Sequence, residues 1–96
     1  MIAEFSIVPI GKGESVSQYV AECLKIVRAS GLDHELTPMG TVVQGQFDDA
    51  MAVIIACHKK VRSMSDRVLT SIKIDDRKGE KPMRQKIESV ESKLRS

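Results

Sequence analysis

Aromatic side chains are nearly absent from this 96-residue chain: Phe5, Tyr19 and Phe47 are the whole set, and there is no tryptophan. Modules that read single-stranded RNA stack bases on exposed aromatics of their central strands. The segment nearest such a position, Thr41-Val42-Val43-Gln44-Gly45-Gln46, carries none. A large charge excess is missing as well. Fifteen Lys and Arg face 13 Asp and Glu, a net charge of +2, whereas nucleic-acid binders show a stronger basic surplus. The two cysteines, Cys23 and Cys57, are too few for a disulfide framework and lack metal-site spacing; a reducing cytoplasm suits them. No apolar run approaches the ~20 residues that span a bilayer. The opening Met1-Ile2-Ala3-Glu4-Phe5 holds an acid where a signal peptide has basic residues and then a long apolar stretch. The expectation is therefore no nucleic-acid and no membrane partner.

What is present suits one domain over residues 1–96, with a core of Ile, Val, Leu, Met and Ala. A domain this small buries a modest share of its surface, which favours an oligomer. Ile2 to Ile10 reads as a strand, with Phe5 and Ile7 on one face and Ser6 and Val8 on the other. Pro9 marks an edge or a strand end. After the turn Gly11-Lys12-Gly13-Glu14, Ser15 and Gln18 form a capping box for a helix whose apolar stripe is Val16, Tyr19, Val20, Cys23, Ile26 and Val27. Gly31 closes it in a left-handed cap. A hairpin follows from Asp33 to Met39, with Gly40 as the turn and Thr41–Gln44 as the return strand. Gly45 signals a bulge or a close approach. Asp48 is expected to cap a second helix with Met51, Ile54, Ile55, His58 and Val61 on one face. Arg67 to Asp75 alternates cleanly, Val68, Thr70, Ile72 and Ile74 pointing inward. Pro82 opens a last helix over about 82–95, with the narrow stripe Met83, Ile87, Val90 and Leu94. That stripe needs a surface, either this domain's sheet or a neighbouring subunit. The order strand, helix, strand, strand, helix, strand predicts an α+β, ferredoxin-like βαββαβ sandwich with an antiparallel sheet and an extra C-terminal helix.

Few residues invite chemistry. Gly11-Lys12-Gly13 precedes a helix but falls far short of a phosphate-binding fingerprint. His58 on an apolar helix face reads as a hydrogen-bonded, half-buried histidine, and His34 as an exposed one. Cys23 and Cys57 read as small hydrophobes. The basic stretch Arg77, Lys78, Lys81, Arg84 and Lys86 is interleaved with Glu80, Glu88 and Glu91, as on a solvated face. No nucleophile–base pair or metal set can be assembled, so neither an enzyme, a metal nor a cofactor is expected. Ser6, Thr41, Gln44, Ser71 and Lys73 are polar groups on strands beside apolar neighbours, which is what a small-ligand pocket requires.

Several separated segments resemble one family. They are Phe5-Ser6-Ile7-Val8-Pro9-Ile10-Gly11, Ser15-Val16-Ser17-Gln18-Tyr19-Val20, Ser30-Gly31-Leu32, Pro38-Met39-Gly40-Thr41, Ile72-Lys73-Ile74-Asp75-Asp76-Arg77 and Lys86-Ile87-Glu88-Ser89-Val90-Glu91. In that order they resemble the thiamine-binding protein family. The resemblance implies a ferredoxin-like fold, dimers or tetramers, no catalysis, and thiamine or its hydroxymethylpyrimidine moiety as ligand, held by a carrier or sensor. It points to Ser6, Ser30, Leu32, Met39, Thr41, Gln44 and Lys73 as ligand-binding residues. Gln44 stands where relatives commonly carry Glu. An amide there matches the neutral edge of an aminopyrimidine as donor and acceptor, without the charge-assisted part. Two other readings of the residues remain: a regulatory module that binds a metabolite between subunits, as ACT-type domains do, and a purely structural assembly unit.

Overall fold

A computed structural model describes residues 1–95 and contains seven elements: β1 (Ile2–Pro9), α1 (Ser17–Ser30), β2 (Asp33–Thr37), β3 (Gly40–Gln44), α2 (Phe47–Met64), β4 (Val68–Asp75) and α3 (Met83–Arg95). The strands form one antiparallel sheet in the order β2-β3-β1-β4. Pro9 is thus a strand end on a central strand, not an edge residue. Alternation along β1 sends Ala3, Phe5 and Ile7 to one face, where they are buried with Thr41 and Val43 of β3. Tyr19, Cys23 and Val27 of α1 and Ala50, Val53, Ile54, Cys57 and Val61 of α2 complete this core. This is the ferredoxin-like fold, with α3 as an addition.

Several local expectations change. Helix α1 begins at Ser17 behind Val16, whose carbonyl accepts from the N–H groups of Tyr19 and Val20; Ser15 makes no cap. The preceding loop passes through left-handed backbone at Gly11 and Gly13, and the helix starts one residue later than the Ser15 cap would place it. Gly31 does cap α1 in the left-handed region, at φ 75°, its N–H bonding the Arg28 carbonyl. Helix α2 begins at Phe47 behind Gln46, so Asp48 and Asp49 lie inside its first turn, where the dipole favours them. Its buried stripe runs through Ala50, Val53, Ile54, Cys57 and Val61, and Ile55 faces outward. The small Ala and Cys side chains let α2 lie close to α1 and the sheet. His34 is half-buried, not exposed, with Nδ1 2.9 Å from the Leu32 carbonyl.

The register places Val68, Thr70, Ile72 and Ile74 opposite Pro9, Ile7, Phe5 and Ala3, on the helix side as the alternation predicts. Helix α2 covers only the first half of β4, so Ile72 and Ile74 each remain 43% exposed on a strand whose outer edge is unpaired. Helix α3 buries Met83 alone and leaves Ile87, Val90 and Leu94 exposed. It therefore does not lie on this domain's sheet. The radius of gyration, 14.7 Å, exceeds the ~12.5 Å of a compact chain this long, and the longest dimension is 49 Å.

The hairpin turn is Pro38-Met39, and Gly40 is the first residue of β3. Its role is close approach: a Cβ there would lie 2.7 Å from the Phe5 carbonyl oxygen. At Gly45 a Cβ would lie 2.9 Å from Leu32 Cδ2, the end of a mobile side chain. Gly40→Ala should therefore cost roughly 1–3 kcal/mol, as overpacking against fixed atoms does, and Gly45→Ala distinctly less. Urea denaturation of both variants checks this; equal losses would mean that the Phe5 main chain yields as easily as Leu32.

Candidate ligand-binding cleft

Strand β1 is eight residues long and pairs with β4 along its whole length, but its pairing with β3 ends at Phe5 opposite Thr41. Beyond that point the hairpin turns away. Met1 and Gly45 exchange main-chain bonds of 2.9 and 3.1 Å, so the odd residues of β1 present their N–H and C=O groups toward β3. Ile10 donates to the Arg67 carbonyl at 2.8 Å, which fixes the even residues on the β4 side. By this alternation the N–H and C=O of Ile7 face the gap past the start of β3.

The gap is a cleft of about 170 Å³. Its floor is Phe5 to Val8 of β1, one wall is Val16 just before α1 with Val20 and Cys23 on it, and the other is Leu36 to Thr41 around the hairpin turn. Thr41 is the one buried polar side chain of the sheet, 6% exposed, and lines this cleft. Met39 at the turn is 82% exposed and Leu36 is exposed too, so two large apolar side chains stand at the rim. The cleft is smaller than the roughly 300–1,000 Å³ of drug-sized sites and suits a single substituted ring.

Of the seven residues expected to bind a ligand, Ser6, Met39 and Thr41 line this cleft. Lys73 lies with Ser6 and Met39 around a shallow depression on the opposite sheet face. The other three are at the far end of the sheet. Leu32 and Gln44 border a separate, open hollow. The Ser30 hydroxyl serves the end of α1, donating to the Val27 carbonyl and accepting from the Leu32 N–H. Sequence reasoning missed Val16, Val20, Leu36 and the Ile7 main chain. The available signal was a long first strand beside a shorter hairpin strand.

Gln44 is fully engaged in the fold. Its Nε2 donates to Glu80 Oε1 at 3.1 Å and to the Lys81 carbonyl at 2.8 Å, and its Oε1 accepts from the Met83 N–H at 2.8 Å. The part-buried Met1 amine pairs with the same Glu80 oxygen at 2.6 Å. These bonds seat the first turn of α3. Arg84 adds a contact to Asp33 at 3.0 Å and Lys86 one to Asp75 at 3.3 Å; both pairs are exposed, and such pairs are worth ~0–1 kcal/mol. His58 Nδ1 lies 2.6 Å from Thr70 Oγ1, tying α2 to β4 as a half-buried histidine was expected to do. Among the described residues no group of three or more His, Cys, Asp or Glu is placed to hold a metal ion, and no helix is long and apolar enough to cross a membrane.

The model of the family described as thiamine-binding protein matches residues 3–91. The chain belongs to the thiamine-binding protein family. It is 38% identical to the UPF0045 protein MJ1052 of Methanocaldococcus jannaschii across all of this chain and 90% of that one. The crystal structure of MJ1052 superposes with a TM-score of 0.87, covering 94% of each chain. The UPF0045 protein YqgV of Bacillus subtilis is 43% identical over 97% of this chain and 96% of its own. A Thermotoga maritima protein proposed to act in thiamine biosynthesis or salvage shares the fold at 17% identity, with a TM-score of 0.81 over 93% of this chain and 96% of that one.

The Glu80 carboxyl is held below its ordinary value of 4.5, first by the bond from the Met1 amine and then by that from Gln44, against the opposing pull of burial. A carboxyl depressed on folding contributes stability above its ordinary value, and that contribution is lost as pH falls through the folded value. The chain should therefore lose stability below about pH 4.5, and Glu80→Gln should flatten that acid limb. Thermal melts from pH 6 to pH 3 measure it; parallel curves for the two proteins would show that Glu80 does not carry the acid sensitivity.

Proposed function

We propose that this chain is one non-enzymatic ferredoxin-like domain over residues 1–96 that binds thiamine or its hydroxymethylpyrimidine moiety, as a carrier or sensor in the cytoplasm. The observation that carries this reading is the cleft where β1 outruns β3, with the Ile7 main chain on its floor and Thr41 in its wall. An aminopyrimidine sets an exocyclic amine beside a ring nitrogen, a donor next to an acceptor. That edge matches the C=O and N–H of a strand residue, so the ring takes the place that one more residue of β3 would have held. Val16, Val20 and Met39 supply apolar contact to the ring faces, and the Thr41 hydroxyl, donor and acceptor at once, meets a further ring substituent. Ser6 and Thr37 are the remaining polar side chains of the lining, and the Thr37 hydroxyl is bonded within the hairpin turn. In this reading Gln44, Ser30 and Leu32 shape the fold and do not touch the ligand, and Lys73 lies outside the cleft on the other face.

Isothermal titration calorimetry with thiamine and with hydroxymethylpyrimidine tests it. Saturable binding is expected, weakened about 5- to 10-fold by Thr41→Val, the worth of one hydrogen bond. Gln44→Ala should leave affinity within about twofold while lowering the melting temperature, because it frees the first turn of α3. The reverse pattern would move the site to the other end of the sheet. No heat with either compound would remove thiamine-related ligands altogether.

The apolar surface left open favours a homo-oligomer, dimer or tetramer, as its working form. Ile72 and Ile74 sit on an edge strand with its outer side unpaired, and Ile87, Val90 and Leu94 form a stripe left exposed among the described residues. Ile87→Glu combined with Val90→Glu should shift the light-scattering mass toward the monomer. An unchanged mass would mean that α3 takes no part in assembly.

A further inference from the structure

We infer that Cys23 and Cys57 are a dithiol pair that closes to an intramolecular disulfide, linking α1 to α2, when the chain meets hydrogen peroxide. The two residues face each other across the helix pair in a reciprocal arrangement. Cys23 Sγ lies 3.9 Å from the Cys57 carbonyl oxygen, and Cys57 Sγ lies 3.6 Å from that of Cys23. Each thiol thus reaches the other residue's main chain, so both side chains point into one small contact, and a disulfide needs such facing side chains. Both are free thiols.

Their surroundings differ in the way an attacking and a resolving cysteine differ. Cys57 has no exposed surface, whereas Cys23 retains 7% and lines the cleft beside Val20. The cleft thus offers a small oxidant a route to Cys23 and none to Cys57. A hydrogen bond from the Cys57 thiol holds Cys23 below the ordinary cysteine value, and the same bond together with burial pushes Cys57 well above it. Thiolate character and access therefore fall on the same sulfur.

The chemistry balances in two steps. The Cys23 thiolate attacks one peroxide oxygen, the O–O bond breaks, and after proton transfer Cys23 sulfenic acid and water are left. Cys57 sulfur then attacks the Cys23 sulfur, the S–O bond breaks, and the hydroxide takes up the Cys57 proton as a second water. Two thiols are oxidised, and one peroxide is reduced. A dithiol reductant reverses the product.

The test treats the full chain with a small excess of hydrogen peroxide, quenches with catalase, alkylates in denaturant and measures intact mass. The expected result is a monomer lighter by two hydrogens, refractory to alkylation, with a peptide linking Cys23 to Cys57, all reversed by dithiothreitol. Cys57→Ser should stop at a Cys23 sulfenic acid that dimedone traps, and Cys23→Ser should leave Cys57 unoxidised over the same time. If Cys57→Ser does not fold, Cys57→Ala serves the same purpose. Two alkylatable thiols after treatment, Cys23 oxidised to sulfinic acid with Cys57 still free, or disulfides between chains would each overturn the inference. The test uses ligand-free protein, so its outcome does not depend on which ligand the cleft takes.

Discussion

The structure turns on where one ladder of hydrogen bonds stops. Strand β1 carries the sheet, paired to β4 along its full length and to β3 only as far as Phe5. Continuing the second ladder would have needed a hairpin two residues longer and would have sealed the edge. Its early end leaves main-chain groups of a rigid central strand beside apolar side chains, with Thr41 at the boundary. Gly40 is the residue that lets the strands approach so closely at that last pair. The cleft is thus a consequence of strand lengths more than of any one side chain. It sits on the most firmly held element of the fold, which is where a precise recognition edge belongs.

The other end of the sheet is built on different physics. There Gln44, Glu80 and the Met1 amine make a tight polar knot, and the buried Met1 and Met83 side chains and the exposed ion pairs of Arg84 and Lys86 add to it. Hydrogen bonds to a charged group are worth about 1.5–3 kcal/mol each, so the knot outweighs the ion pairs. One oxygen of Glu80 carries two of these bonds and the other, also buried, has no partner among the described residues. Polar closure at one end and an open apolar cleft at the other give the two ends of the sheet opposite characters.

Most of the fold was legible because periodicity reports faces. The alternation of β4 named the helix-side residues correctly, and Gly31 ended α1 where a left-handed cap was expected. What periodicity cannot report is coverage. Ile72 and Ile74 point inward yet stay half open, because the length and angle of α2 decide which part of β4 it shields. Local capping signals failed at Ser15 and Asp48 for a related reason: the loops before each helix set its entry, and capping preferences of about 1 kcal/mol yield to them. The site was legible only in part. Ser6, Met39 and Thr41 converge because they flank the hairpin. Gln44 has the right chemistry for a heterocycle and is already spent on α3, a partner 39 residues away in sequence. The meeting of Cys23 with Cys57 was equally invisible, since a helix stripe shows that a residue is buried and not what it is buried against.

Helix α3 is fixed to the body through its first turn and extends beyond it. Thirteen residues is about the length at which an isolated helix is only marginally stable in water, and the far turns gain nothing from the core. Their folding free energy is therefore close to zero when nothing lies against them. Any surface that covers Ile87, Val90 and Leu94 supplies the missing part, so docking and helix formation at this end are one equilibrium. Order in the outer half of α3 is then a function of how crowded with suitable surfaces its surroundings are, while the sheet behind it stays indifferent.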